Sequence, residues 1–384
     1  MNYFCLYMSG LYIHIPFCAQ KCIYCDFYSV VNQKLQSEYV SALNSELSLR
    51  QNEINFNKIN TVYIGGGTPS FLNHNDITDL INFVYRYINR EQIIEFTFEV
   101  NPDDVTPELM QLLKHLGVNR ISMGIQSFND DELKIIRRRH NSKEAIEAYN
   151  TIRENGITNI SIDLIFGLPE QTLSTFRENV IKAIELNPEH ISCYGLMYEP
   201  GTLLYKMREE GKIKECDDAL YIEMYSLLTD ILREHGYDHY EISNYSKKDM
   251  YSRHNVSYWK NIPYLGVGAG AHSYDGNIRR YNPDNIREYI KTINSGNPFY
   301  TEELETFNEK HNDFVMTQLR SKWGITISEY LDKFGEDNMK RFEGITAPYI
   351  DSGEMILSDN NIRLSEKGML VSDEIFCDLF IIDD

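Results

Sequence analysis

Apolar runs of four to eight residues, each soon followed by Gly, Pro or Asn, recur along the first half of the chain. They read LYIHI (11–15), TVYI (61–64), IEFTFEV (94–100), RISMGI (120–125), NISIDLIF (159–166) and HISCYGL (190–196). Runs of this length, rich in Ile, Val, Phe and Tyr, predict buried strands. Between them lie EYVSALNSEL, DITDLINFVYRYI, TPELMQLLKHLG, SKEAIEAYNTIRENG and LSTFRENVIKAIEL, most with apolar residues at helical spacing and several with Ser, Thr or Asp near their starts. Strict alternation of strand and helix implies right-handed crossovers and a parallel sheet, open or curled. Six such units predict an α/β fold built as a partial (β/α)6 barrel.

Beyond about residue 205 the alternation fades into an aromatic segment, YDHYEISNYSKKDMYSRHNVSYWKN, and a Gly-rich one, YLGVGAGAHSYDG. The expected organisation is a barrel over 1–205, an accessory region over 206–304 that completes the sheet, and a C-terminal domain over 305–384. That last part reads as helices HNDFVMTQLRS, ITISEYLDKFG and NMKRFEGITAPYIDSG, a hairpin MILSDNNIRLS and a helix EKGMLVSDEIFCDLF, a small winged-helix-like domain. Its end, FCDLFIIDD, is acidic and no helix in it is rich in Arg or Lys, so packing or a protein partner is expected there and not DNA.

Charge changes this picture little. The net charge of -20, from 57 acidic and 37 basic residues, disfavours nucleic acid and anionic lipid as partners. No run approaches the roughly 18 apolar residues of a membrane span. The N-terminus MNYFCLYMSG has neither the basic region nor the cleavage site of a secretory signal, so a cytoplasmic protein is expected, at a membrane only through a partner. Met8 precedes the first strand closely, which makes residues 1–7 a frayed extension or an over-long start and Cys5 inert.

Of the seven cysteines four are scattered, and a reducing compartment argues against disulfides. Cys18, Cys22 and Cys25 are different: they form CxxxCxxC directly after the first strand. A closed zinc site wants four ligands and the chain has no second CxxC pair. Three cysteines on a cubic iron–sulfur cluster leave its fourth iron open to a substrate or cofactor. Packing as small apolar residues suits them poorly in a loop that also carries Gln20, Lys21 and Asp26. Functional groups of such sheets gather at the carboxyl ends of strands. Those ends carry the cysteine loop, Gly65-Gly66-Gly67-Thr68-Pro69, Glu99, Gln126 and Asp163. Gly66 and Gly67 allow a close backbone approach to a bound amino-acid group, or serve a plain turn. Glu99 suits ribose hydroxyls, or an ion pair; Arg138, in RRRH, is on pattern alone a solvated turn residue.

CxxxCxxC after the first strand and GGGTP after the second resemble the radical S-adenosylmethionine (SAM) superfamily. YIHIPFC, GGGTPS, EVNPDD, GIQSF and IDLIFGLPEQT are similar, over nearly the whole chain, to the branch that contains oxygen-independent coproporphyrinogen III oxidase and its haem-chaperone relatives. The resemblance implies a [4Fe-4S] cluster on Cys18, Cys22 and Cys25 whose open iron takes the amino and carboxylate groups of SAM. It further implies that Tyr12, Tyr24, Gly66, Gly67, Thr68, Glu99, Gln126, Arg138 and Asp163 line the SAM site.

Within that branch the oxidase resembles CxxxCxxCxC, but here the last position is Phe27; the oxidase also has a longer segment before its cysteines. HNVSYW, with His254, Asn255, Tyr258 and Trp259, matches the HNxxYW pattern of the chaperones, whose histidine is associated with haem. A neutral imidazole flanked by aromatic rings suits haem iron, although an isolated histidine is more often structural. The expectation is therefore a haem chaperone with SAM, a [4Fe-4S] cluster and haem as cofactors. Its partners are haem-acceptor respiratory proteins and a haem donor protein. The alternatives are anaerobic oxidative decarboxylation of coproporphyrinogen III and radical chemistry on an unrelated substrate. His239 and His272 are candidates for a second haem ligand, and the sequence leaves a homodimer open.

Overall fold

A computed structural model describes residues 9–296 and 300–382; Cys5 and the last two residues of FCDLFIIDD lie outside the described residues. The barrel unit runs β1 (Ser9–Ile15), α1 (Gln36–Leu49), β2 (Ile59–Gly66), α2 (His74–Val84), β3 (Glu95–Val100), α3 (Pro107–His115), β4 (Arg120–Gln126), α4 (Asp130–Ile135), α5 (Ser142–Glu154), β5 (Asn159–Phe166), α6 (Leu173–Leu186) and β6 (His190–Gly195). The helices start where capping chemistry allows. Thr106 accepts from the Leu109 amide with Pro107 in the first turn of α3, and Asn141 and Glu144 form a reciprocal capping box on α5.

The six strands pair in parallel in chain order, β1 to β6. β1 aligns Tyr12 with Tyr63, and β3 aligns Thr97 with Arg120 and Glu99 with Ser122. This gives two chemically opposed faces. Leu11, Ile13, Ile15, Val62, Ile64, Phe96, Phe98, Ile121, Met123, Ile160 and Ile162 are fully buried in one apolar core with α1 residues Tyr39 and Leu43 and α2 residues Ile77 and Ile81. The intervening positions, Tyr12, His14, Thr61, Tyr63, Thr97, Glu99, Arg120, Ser122, Ser161, Asp163, His190 and Ser192, face inward and make a polar lumen.

The region that follows extends this sheet at both ends. After α7 (Leu203–Glu209) and α8 (Asp218–Glu234), β7 (Asp238–Glu241) and β8 (Asn244–Ser246) add beside β6, with β8 antiparallel to it. Next come α9 (Arg253–Trp259), β9 (Tyr264–Val267), β10 (His272–Tyr274), β11 (Ile278–Tyr281), α10 (Ile286–Ser295) and β12 (Thr301–Leu304). β9 lies parallel to β1, and β10 to β12 continue outward, so the sheet has twelve strands in the order β12-β11-β10-β9-β1-β2-β3-β4-β5-β6-β8-β7.

The C-terminal part consists of α11 (Phe307–Leu319), β13 (Ile325–Thr326), α12 (Ile327–Asp351), β14 (Met355–Ser358), β15 (Asn361–Leu364), α13 (Glu366–Leu370) and α14 (Ser372–Leu379). Gly335, at φ 82°, divides α12 in two, which gives the helix–strand–helix–helix–hairpin order of a winged helix. Two details differ from expectation. Ile325 and Thr326, read as the start of a helix, pair with Ile362 and Asn361 as a third strand, as suits two β-branched residues. The final helix breaks at Val371, whose amide closes a tight turn onto the Gly368 carbonyl. Among the described residues no helix is long and apolar enough to cross a membrane.

Candidate functional site at the barrel mouth

The cysteine loop is a closed excursion from the end of β1. The Cys18 amide donates to the Val30 carbonyl at 3.0 Å and the Val30 amide to the Pro16 carbonyl at 2.7 Å, which fastens the neck. The next strand end braces that neck: Gly67 and Thr68 amides donate to the Ile15 and Phe17 carbonyls, both at 2.8 Å. A Cβ on Gly67 would stand 2.8 Å from the Ile15 carbonyl oxygen and 2.9 Å from that of Phe17. Gly66, at φ 112°, would drive a Cβ into the His14 ring, 2.4 Å away. Both glycines thus let the ends of β1 and β2 meet closely, a local structural use like the plain-turn alternative and not a contact to a bound group.

The three sulfurs are partly exposed and face donors. Thr68 Oγ1 donates to Cys18 Sγ at 3.4 Å, and Arg138 Nη1 donates to Cys22 Sγ at 3.4 Å. Arg138 is fixed in turn by Nη2 bonds to Asn101 Oδ1 at 2.7 Å and to the Gly124 carbonyl at 2.6 Å, and Asn101 Nδ2 also reaches Thr68 Oγ1. Burial works against the Arg138 charge, but Tyr24 and Cys22 beside it push its pKa up overall. Burial also pushes the Cys18 thiol up, and lifts Cys25 to about 11 with repulsion from Cys22 and Cys18 adding to it. Such thiols become thiolates when a cation takes them.

Among the described residues no His, Cys, Asp or Glu group is gathered closely enough to hold a metal ion. Three cysteines in one loop, two of them with donors aimed at their sulfurs, form the donor set that an iron–sulfur cluster would take. The donors at Thr68 and Arg138 satisfy what sulfur ligands of a cluster require from their surroundings.

Beside the loop the lumen presents carboxylates. Glu99 accepts from Tyr63 Oη at 2.6 Å and from the Gly66 amide at 2.9 Å, and burial lifts its pKa to about 7. Asp163 is lifted to about 6, again by burial, against hydrogen bonds from Ser192 and Ser122 and the charge of Arg120. Tyr12 Oη bonds His14 Nδ1 at 3.0 Å, and its ring lies 6.0 Å from that of Tyr63. Gln126 follows a bulge against β5 and has φ 72°, a left-handed conformation uncommon for a non-glycine residue. Tyr24 packs against the small apolar cluster of Ile136, Ile165 and Leu168, beside Cys22 and Arg138. The mouth therefore brings together all the residues expected to line a SAM site and the three cysteines.

HNVSYW lies at the floor of the lumen, the end away from the cysteine loop, and shares Tyr12 and Tyr63 with the mouth. It forms α9, whose first residues Arg253 and His254 donate their amides to the carboxylate of Glu95, at the opposite end of β3 from Glu99. His254 is 1% exposed; its Nδ1 bonds Thr61 Oγ1 at 3.0 Å and its Nε2 bonds Tyr258 Oη at 2.7 Å. Its ring packs on Gly10, where a Cβ would come within 2.8 Å, and on Tyr12 and Tyr63. Burial, helped by the charge of Arg120, pushes its pKa down to about 3. Trp259 lies beneath the Arg320 guanidinium and its carbonyl accepts from Gln318, linking the floor to α11, while Asn255 is half-buried. His239 stacks on Tyr245 and bonds the Ile242 carbonyl; His272 is exposed and stacks on Tyr281. Neither is brought to His254 by any described contact.

Sequence reasoning missed Asn101, Tyr63, Ser122, Ser192 and Arg120. The signal that finds the inward ones is the period-two pattern itself, Glu95-Thr97-Glu99 on β3 and Arg120-Ser122-Gly124 on β4.

Residues 12–182 match the model of the radical SAM superfamily and residues 307–371 that of the HemN C-terminal domain. The whole fold resembles the structure of coproporphyrinogen III oxidase (HemN) from Escherichia coli, with a TM-score of 0.83 at 23% identity over 97% of this chain and 90% of that one. The class is thereby defined as a radical SAM protein. The chain is 35% identical to the heme chaperone HemW of Bacillus subtilis over 96% of this chain and 98% of that one, and 33% identical to that of Haemophilus influenzae over 98% of each. A mitochondrial radical S-adenosyl methionine domain-containing protein 1 of Danio rerio is 30% identical over 96% of this chain and 86% of its own. The chain belongs to the HemW family.

Proposed function

We propose that this protein is a haem chaperone that carries a [4Fe-4S] cluster on Cys18, Cys22 and Cys25, binds SAM at the open iron, and delivers haem to an acceptor protein. Similarity along the whole chain to relatives named heme chaperones carries the functional half of this reading. Phe27, 64% exposed where the oxidase pattern has a further cysteine, agrees with it. The cluster half is supported by the two hydrogen bonds aimed at Cys18 and Cys22 sulfur.

In this site Arg138 and Thr68 offset charge on the cysteine sulfurs, and Gly67 lets the two loops meet closely enough to fix them. Ionised Glu99 and Asp163 accept hydroxyl hydrogen bonds from a ribose, while Tyr12, Tyr24 and Gln126 bound the pocket around it. A bound cluster supplies one-electron reduction of a sulfonium; the chain orients the cofactors and limits water.

For haem, the candidate is HNVSYW, and its geometry sets a condition. Nε2 of His254 reaches iron only after it leaves the Tyr258 hydroxyl and α9 lifts from the floor. Haem titration of anaerobically reconstituted protein, followed at the Soret band, tests this together with an assay for coproporphyrinogen III consumption. Stoichiometric binding without turnover, weakened at least about tenfold in His254→Ala, supports the chaperone reading with His254 as ligand. Unchanged binding in the variant removes His254 from the haem site, and turnover makes the protein an oxidase.

A further inference from the structure

Among the described residues Arg120 is a deeply buried charge with little direct compensation. It faces the lumen from the first residue of β4 and is 2% exposed. Its Nη1 lies 3.4 Å from Thr97 Oγ1, a long hydrogen bond, and its Nε has no partner. Among the described residues it joins no ion pair. An arginine kept so deep with so little direct compensation is costly, and an apolar or amide side chain would fill the position at less expense. Its value must lie in the charge.

Two groups at the mouth stand above it. Register places Glu99 beside Ser122, one inward step above Arg120, and Asp163 beside Gly124, one step further. Tyr12 of β1 and Tyr63 of β2 also face these carboxylates as neutral phenols raised first by burial, and Tyr194 of β6, exposed at the rim, lies near both. From below face Glu95, His190, His254 and Tyr258. Burial, then the Arg120 charge, holds both imidazoles neutral, so they provide no positive charge of their own. Arg138 acts on Asp163 from the mouth side. Arg120 is the lumen cation that reaches both carboxylates.

We propose that Arg120 is a positioning residue that acts from beneath the SAM site to keep Glu99 and Asp163 ionised, and so able to accept hydrogen bonds from ribose hydroxyls. This rests on the SAM-binding reading of the mouth. A neutral carboxyl group offers the diol one acceptor fewer, so loss of Arg120 shifts the pH at which binding is gained without touching the ligand.

The test is the SAM dissociation constant, by equilibrium dialysis from about pH 6 to about pH 9, of cluster-loaded native protein, Arg120→Gln and Arg120→Lys, with cluster absorbance recorded for each. Native affinity is expected to weaken as the pH falls through about 7. In Arg120→Gln that midpoint rises by about half a unit and affinity near neutrality falls a few-fold, with partial recovery at the alkaline end. Arg120→Lys keeps the native midpoint. A native midpoint in the glutamine variant, whatever its affinity, overturns the proposal, as does a lysine variant displaced as far as the glutamine one. If the glutamine variant does not fold, the lysine midpoint decides alone. Native protein that carries the cluster but binds no SAM at any pH overturns the reading of the mouth, and this inference with it.

Discussion

The mouth and the floor of the barrel are both built from conspicuous motifs, yet they are opposite kinds of place. At the mouth three cysteines remain partly exposed, side-chain donors point at the sulfurs of two of them, and two carboxyl groups sit with raised pKa values. At the floor every polar atom of the His254 ring is bonded within the chain and the backbone amides before it are capped by Glu95. Groups with spare bonding capacity mark a place prepared for something absent from the chain; groups already satisfied mark a place that holds the chain together. A motif match does not separate the two; the hydrogen bonds of the His254 ring do, although Trp259 Nε1 of the same motif is buried without a partner.

The sharpest break in the comparison is removal of one sulfur. Cys22→Ala takes away a cluster ligand and the acceptor of Arg138, so visible cluster absorbance is expected to disappear and SAM affinity to fall about a hundredfold or more, roughly 2.7 kcal/mol. The floor should not register the change, and the thermal midpoint of the cluster-free variant should match that of the cluster-free native protein. A full cluster in this variant would contradict the ligand assignment.

The pH dependence of stability sharpens the contrast, because Glu99 and His254 titrate with opposite sign. Between its ordinary pKa of 4.5 and about 7, Glu99 keeps a proton in the folded chain that the unfolded chain has released. Raising the pH through that window therefore favours unfolding. His254 is neutral when folded and takes a proton when unfolded between 6.5 and about 3, so lowering the pH through that window favours unfolding. In cluster-free protein, denaturant titrations at stepped pH should show that Glu99→Gln lessens the first slope, by up to about 3 kcal/mol across its window, and His254→Asn the second, by up to about 5 kcal/mol, with Asp163 and the other buried imidazoles keeping the remainder. If one variant altered both slopes, mouth and floor would be a single coupled network.

The mouth was more legible than the floor for a physical reason. Chemistry at strand ends is local in sequence: Cys18, Cys22, Cys25, Gly66 and Thr68 follow directly after β1 and along β2, and their spacing announces them. The six strands were equally plain, since a buried strand must be apolar on at least one face. What the glycines make room for was not legible, because the carbonyls that Gly67 meets belong to another strand's end. The bonds of His254 were hidden for the same reason: Thr61 and Glu95 come from strands more than a hundred residues earlier. Arg120 was visible as the polar start of RISMGI, but the lack of any close counter-charge is a fact of three dimensions.

The smallest expected effect concerns Gln126, where the mouth holds backbone strain that α9 lacks. Gln126 has φ 72°, whereas no residue of α9 has a positive φ. A left-handed conformation costs an ordinary side chain about 1–2 kcal/mol, and glycine would avoid that cost. Glycine also widens the unfolded ensemble, which takes back about 0.4–1 kcal/mol. Gln126→Gly is thus expected to stabilise cluster-free protein by only about 0.5 kcal/mol, the difference between these terms, while SAM affinity falls a few-fold as the amide is lost from the pocket. Urea midpoints and SAM dialysis on the same preparations give both quantities. A gain in stability paired with a loss of binding identifies the bulge as strain kept for the ligand. A loss of both would mean that the side chain, lying over Gly124 with Nε2 2.8 Å from where a Cβ would stand, serves the fold, and that the mouth is at this point built like the floor.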